Sequence, residues 1–151
     1  MAFLALAAAS PVAATPMKPG AGTSADRHAA EAANVRQHHD APMHGEVTLF
    51  VGSSSIRLWD VARSFPAIGT VNRGFGGATV GDVLYHYDRV VAGVRPSAVI
   101  VYVGENDVAL GEPSEVVAIG VLKLLARLHT DMPHARIAYL SMKPTPQRWE
   151  L

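Results

Sequence analysis

The chain has 151 residues, 49% of them hydrophobic and 17% charged, which is the balance of one folded domain rather than of a disordered polymer. Thirteen basic side chains offset thirteen acidic ones, so no net field draws the chain to nucleic acid or to an anionic membrane. The absence of cysteine excludes disulfides, thiolate zinc sites and a thiol nucleophile.

The first stretch, "MAFLALAAASPVAA", has the apolar core of a secretory signal and a small-residue end at Val12-Ala13-Ala14, but no basic start. Its apolar run is too short to span a bilayer. "TPMKPGAGTS" follows, with the Pro, Gly and Ser content of a linker. Residues 1–24 are therefore expected to be a signal-like segment and linker, and residues 25–151 the folded domain. The product is expected to be secreted or periplasmic, or cytoplasmic if the segment is only an Ala-rich tail, with no stable membrane anchor.

"ADRHAAEAANVRQHHDA" predicts a surface helix ending before Pro42. "VTLFVG" is a short β-branched and aromatic run, hence a strand. "SSIRLWDVARSF" places Ile56, Trp59, Val61 and Phe65 close to helical spacing behind a serine-rich start, and predicts one helix. "GTVNRGFGG" is a second strand running into a glycine turn. "TVGDVLYHYDRVVAGV" predicts a single helix stopped by Gly93 and Pro96, with Tyr85 and Tyr87 as packing residues. "SAVIVYVG" has the continuous apolar run of a strand covered on both faces. "PSEVVAIGVLKLLARLHTDM" is a long amphipathic helix, "ARIAYLSM" a fourth strand, and "KPTPQRWEL" an irregular tail.

Strands alternating with helices of this length specify a parallel sheet covered by helices, whose ligand-binding residues gather beyond the carboxyl ends of the strands. Three clusters fall on that edge. Ser53, Ser54 and Ser55 follow strand one; Gly74, Gly76 and Gly77 follow strand two; Gly104, Glu105, Asn106 and Asp107 follow strand three. Taken alone, the serines are most simply a helix cap, with a phosphate cradle or a nucleophile as alternatives. The glycines are a tight turn or a set of free N–H groups. Asn106 is an Asx turn or an amide donor to an oxyanion. Together they supply a nucleophile, a backbone donor and an amide donor, the set that acyl transfer requires.

The three blocks resemble those of the SGNH hydrolases, the GDSL-type esterases and lipases. "FVGSSSIRLW" is similar to their first block, with Ser53 in place of the usual aspartate as in a bacterial subgroup, and the resemblance implies that Ser54 is the nucleophile. "NRGFGGATVGD" is similar to the second block and implies an oxyanion-hole N–H from Gly77. "VYVGENDVALG" matches the third and implies a side-chain donor from Asn106. The implied fold is a three-layer α/β sandwich with a flavodoxin-like parallel sheet in the order 2-1-3-4. The implied activity is hydrolysis of a small ester, acyl or O-acetyl substrate through an acyl-enzyme, with no cofactor, no metal and no nucleic-acid partner.

One block of the family is missing. Its final Asp-x-x-His, which supplies the general base and the group that orients it, follows a fifth strand, and this sequence stops after the fourth. The domain is thus expected to lack the last strand and helix, and the triad Asp and His to be absent from this chain. Asp131-Met132-Pro133-His134 has the right spacing but lies at the amino end of strand four. A strand of five or six residues separates the two edges by roughly 17–20 Å, so His134 is expected not to reach Ser54.

The other histidines (His28, His38, His39, His44, His86 and His129) show no metal-ligand spacing. Arg148 and Trp149 follow strand four on the active edge and are candidate substrate contacts. An unpaired strand four is an expected surface for self-association. A non-catalytic module holding an ester or glycan in the same pocket is the alternative reading. A nucleotide site is disfavoured, because Thr79 occupies the last glycine position of G-x-G-x-x-G and no phosphate-loop lysine motif exists.

Overall fold

The computed structural model describes residues 28–29 and 46–143. The signal-like segment and linker, most of the predicted N-terminal helix, and the tail carrying Arg148 and Trp149 lie outside the described residues.

Four strands form one parallel sheet: β1 (Val47–Gly52), β2 (Gly69–Gly74), β3 (Ala98–Tyr102) and β4 (Arg136–Tyr139). Their order is β2-β1-β3-β4, the expected flavodoxin-like one. The apolar run in β1 sits at the centre, with Gly52 in register with Gly74 on one side and Tyr102 on the other. All three strands therefore end at the same level.

Alternation along the strands feeds two cores. Leu49, Val51, Val71, Val99 and Val101 point to one face and pack with Val83, Tyr87, Leu124 and Leu128. Those partners come from α3 (Val80–Tyr85), α4 (Tyr87–Val91) and α6 (Ser114–Asp131). Phe50 and Tyr102 point to the opposite face and meet Ile56 and Val61, from α1 (Ser54–Arg57) and α2 (Val61–Ser64). The result is the three-layer sandwich. A short helix, α5 (Glu105–Ala109), follows β3.

Three local expectations need correction. The helix expected over "SSIRLWDVARSF" is two helices, because the Asp60 carboxylate accepts from the Arg63 N–H at 3.0 Å and starts a new one. The helix expected over "TVGDVLYHYDRVVAGV" breaks at His86, whose N–H bonds back to Asp82 while its carbonyl opens the next helix. Tyr85, expected to pack, is 64% exposed, whereas Tyr87 is buried at 1%. No helix among the described residues is long and apolar enough to cross a membrane.

Candidate active site

Ser53 occupies the N-cap position of α1, yet its side chain makes no capping hydrogen bond and is fully buried. The simplest reading of the serines, a helix cap, therefore does not hold. The turn is fixed by its backbone: the Ser53 N–H donates to the Tyr102 carbonyl at 3.1 Å, and the Ser53 carbonyl accepts from Ile56 and Arg57. Ser54 is half-buried in the first turn of α1, directly beyond the central strand. Ser55 reaches across to the start of α5 and donates to Glu105 Oε1 at 3.2 Å.

The second loop is held against the first from below. Phe75 N–H bonds to the Gly52 carbonyl at 3.1 Å. A Cβ on Gly74 would stand 2.4 Å from the Arg57 nitrogen, so only glycine lets α1 seat on the end of β2. Asn72 completes that seat. Its amide donates to the carbonyls of Ile56 at 2.7 Å and Trp59 at 3.1 Å, and its oxygen accepts from the Gly74 N–H at 2.9 Å. Gly77 has φ +68, a left-handed conformation that side chains resist, and is exposed. Immediately after it the loop is locked: Thr79 and Asp82 form a capping box at the start of α3.

The third loop closes the ring. Gly104 turns the chain into α5, so Asn106 is helical rather than the apex of an Asx turn. The Asn106 amide donates to the Ala78 carbonyl at 2.9 Å, one residue from Gly77. An amide carries two N–H groups, and the one bound to Ala78 fixes the plane in which the other points. Asp107 accepts from the Val80 N–H at 3.1 and 3.2 Å. Burial is the main force on that carboxyl and pushes it up to about 6, against the opposing bond from Val80. Tyr102, desolvated and donating to Glu105 Oε2 at 2.5 Å, is pushed up to about 12.

The structure thus gathers Ser54, Gly77 and Asn106 at one edge, with the loops that carry them cross-linked. His134 is on the other edge. It lines a cavity of about 820 Å³ at the amino ends of the strands, together with Val47, Val94, Arg95 and Pro133. That cavity, though spacious, is remote from the serine turn. Among the described residues no three His, Asp or Glu side chains cluster as metal ligands do.

Three residues of this site escape a reading of the sequence, Asn72, Tyr102 and His28, and so does the bond that Ser55 makes. Ser55, Asn72 and the Tyr102 carbonyl act through bonds between distant segments, which nothing in local spacing marks. His28 comes from the N-terminal segment. It is buried against Phe75, 5.5 Å between ring centroids, with Nε2 3.7 Å from Asp82 Oδ2. Its Cε1 lies 3.9 Å from where a Cβ on Gly77 would stand, so it supports the glycine loop from inside.

Comparison with known proteins bears on the family and the fold. The model of the GDSL-like Lipase/Acylhydrolase family matches residues 55–151. Platelet-activating factor acetylhydrolase IB subunit alpha2 of Gallus gallus is 29% identical over 105 residues, covering 66% of this chain and 45% of that protein. The chain spans about half the length of the curated relatives it matches, 45% by that measure. A GDSL-like lipase from Bacteroides thetaiotaomicron superposes with a TM-score of 0.62 at 20% identity, over 84% of this chain and 64% of the other. The psychrotrophic esterase EstA from Pseudoalteromonas sp., inhibited by monoethylphosphonate, superposes with a TM-score of 0.56 at 18% identity, over 68% of this chain and 62% of the other. At such identities these two structures speak to the fold alone.

Proposed function

This chain belongs to the GDSL-like lipase/acylhydrolase family, and from that premise we propose that its carboxyl edge is a serine ester hydrolase site for a small ester, acyl or O-acetyl substrate. The observation that carries the reading is the bond from the Asn106 amide to Ala78, which holds an amide donor next to the Gly77 loop, on the strand edge where the Ser54 turn also lies.

In this reading the Ser54 oxygen attacks the acyl carbon, and the carbonyl π pair moves onto oxygen. The N–H groups of Ser54 and Gly77 and the free N–H of Asn106 receive that oxyanion. Collapse expels the alcohol and leaves an acyl-enzyme, which water cleaves to regenerate Ser54. The hydroxyl proton needs an acceptor. Within this chain the only Asp-x-x-His ends at His134, on the amino edge, so Ser54 lacks general-base help from it. General-base assistance typically contributes 10²- to 10⁴-fold, so with His134 out of reach a Ser54 that finds no other base would hydrolyse esters very slowly.

Trapping of the nucleophile tests this. An ethylphosphonate carrying a nitrophenyl ester should slowly phosphonylate Ser54, the Ser54 oxygen displacing nitrophenolate from phosphorus, seen as a mass increase on the peptide that contains it and absent from Ser54→Ala. Labelling that survives Ser54→Ala at the same rate contradicts the assignment.

The position of His134 also favours a second reading, a module that holds an ester or glycan without turning it over. Equilibrium binding with no Ser54 adduct is its signature. In either reading β4 is a proposed surface for self-association, since Arg136 and Ala138 on that strand are exposed.

A further inference from the structure

Ser55 is one residue past the proposed nucleophile, and Glu105 is one residue before the proposed amide donor. The two are 50 positions apart in the chain and joined by a hydrogen bond of 3.2 Å. The other oxygen of Glu105 receives the hydroxyl of Tyr102, the last residue of β3, at 2.5 Å.

We propose that the Ser55–Glu105–Tyr102 cluster is the positioning device of the site, the Glu105 carboxylate clamping the serine turn to the loop that carries Asn106. This rests on the ester hydrolase reading of Ser54 and Asn106 given above.

Backbone bonds hold the turn in place, and three points give a side-chain clamp the finer task of setting its rotation. α1 has only four residues and its N-cap side chain makes no capping bond, so the turn bearing Ser54 is not fixed at its start by a cap. Residues adjacent on a helix point about 100° apart. A bond made by Ser55 therefore fixes the rotation of the turn while leaving the Ser54 hydroxyl unused. Glu105 and Asn106 are likewise adjacent, and while Glu105 takes Ser55, Asn106 takes Ala78. The side-chain link between nucleophile turn and amide donor thus passes through a single carboxylate, alongside the backbone bond from the Ser53 N–H to the Tyr102 carbonyl.

Tyr102 sets where that carboxylate sits. Burial and its bond to Glu105 raise the phenol to about 12, so it stays protonated and keeps donating across the ordinary pH range. Its 2.5 Å bond is in the range of charge-assisted O–H···O⁻ contacts. At 3.2 Å the Ser55 bond is the weaker arm, and the one whose removal disturbs the fold least.

Misplacing reacting groups by about 1 Å costs on the order of 10²-fold in rate. Acylation by nitrophenyl acetate, followed on this chain as adduct formation in a single turnover, reads the effect. Ser55→Ala and Glu105→Ala should each slow the Ser54-dependent rate by roughly 10- to 100-fold, with KM and the melting temperature of Ser55→Ala nearly unchanged. Ser55→Thr, which keeps the hydroxyl, should restore the rate. The double variant should be no slower than the slower single one, as expected of two ends of one bond.

A second measurement needs no turnover. The side-chain amide signals of Asn106 in a nitrogen-resolved NMR spectrum should move in Ser55→Ala and return in Ser55→Thr. If Ser54→Ala leaves the rate of the parent chain unchanged, the hydrolase reading fails. If Ser54→Ala abolishes it while Ser55→Ala leaves both the rate and the Asn106 signals in place, the clamp alone is wrong.

Discussion

Glu105 and Asn106 are consecutive in the chain and bond to opposite neighbours. Glu105 accepts from Ser55 at the central strand, and Asn106 donates to Ala78 at the β2 loop. Three loops that a parallel sheet brings to one edge are thereby joined into one unit. This arrangement makes the site sensitive to changes that touch no substrate.

Replacing Asn106 with Ala removes the amide donor and leaves the Ala78 carbonyl without this partner. Loss of one oxyanion donor typically lowers kcat by about 10² to 10³. The Ser54-dependent acylation rate should fall by that order with KM unchanged. A fall in affinity alone would place Asn106 in substrate binding instead.

Gly77→Ala introduces a Cβ with room around it, the nearest atom being His28 Cε1 at 3.9 Å. Its penalty comes from the backbone, since φ is +68 and a left-handed residue with a side chain costs roughly 1–2 kcal/mol. A folded protein with a modestly lowered melting temperature is expected. Gly74→Ala differs in kind. Its Cβ would sit 2.4 Å from the backbone nitrogen of Arg57, so α1 must lift off and soluble protein should be lost. Comparable melting curves for the two variants would refute this distinction.

These sensitivities show how much a sequence can carry. The edge location of Ser54, Gly77 and Asn106 follows from βα alternation, and the strand order from the resemblance carried by the three ordered blocks. The fate of the serines does not. Helix-capping preference points to Ser53, yet its hydroxyl is buried and caps nothing, while the useful bond belongs to Ser55 and a glutamate 50 positions away. Helix breaks at Asp60 and His86 were hidden for a related reason: apolar spacing continues across a break, and only the capping bond of Asp60 reveals it. Asn72 reads as an ordinary strand residue because its two carbonyl partners arrive from another segment.

Asp107 gives a pH signature of opposite sign to that of a salt-bridged carboxylate. Its folded pKa, about 6, lies above the unfolded value near 3.8. Between those values the folded state binds the extra proton, so stability falls as pH rises from about 4 to about 6 and is flat beyond. The difference of about two pH units corresponds to about 3 kcal/mol as an order of magnitude. Asp107→Asn keeps an acceptor for Val80 and lacks the titration. The melting temperature of the parent relative to this variant should therefore be higher at pH 4.5 than at pH 7.5; the reverse order would show that Asp107 is stabilised as its anion.

The central claim is that Ser54, unassisted by His134, performs whatever ester chemistry this chain has. Hydrolysis of a short-chain nitrophenyl ester by the parent chain, Ser54→Ala and His134→Ala tests it in one assay. A slow rate lost in Ser54→Ala and unchanged in His134→Ala is the predicted result. A rate near that of ordinary esterases which collapses in His134→Ala, or a rate that Ser54→Ala leaves intact, would contradict it.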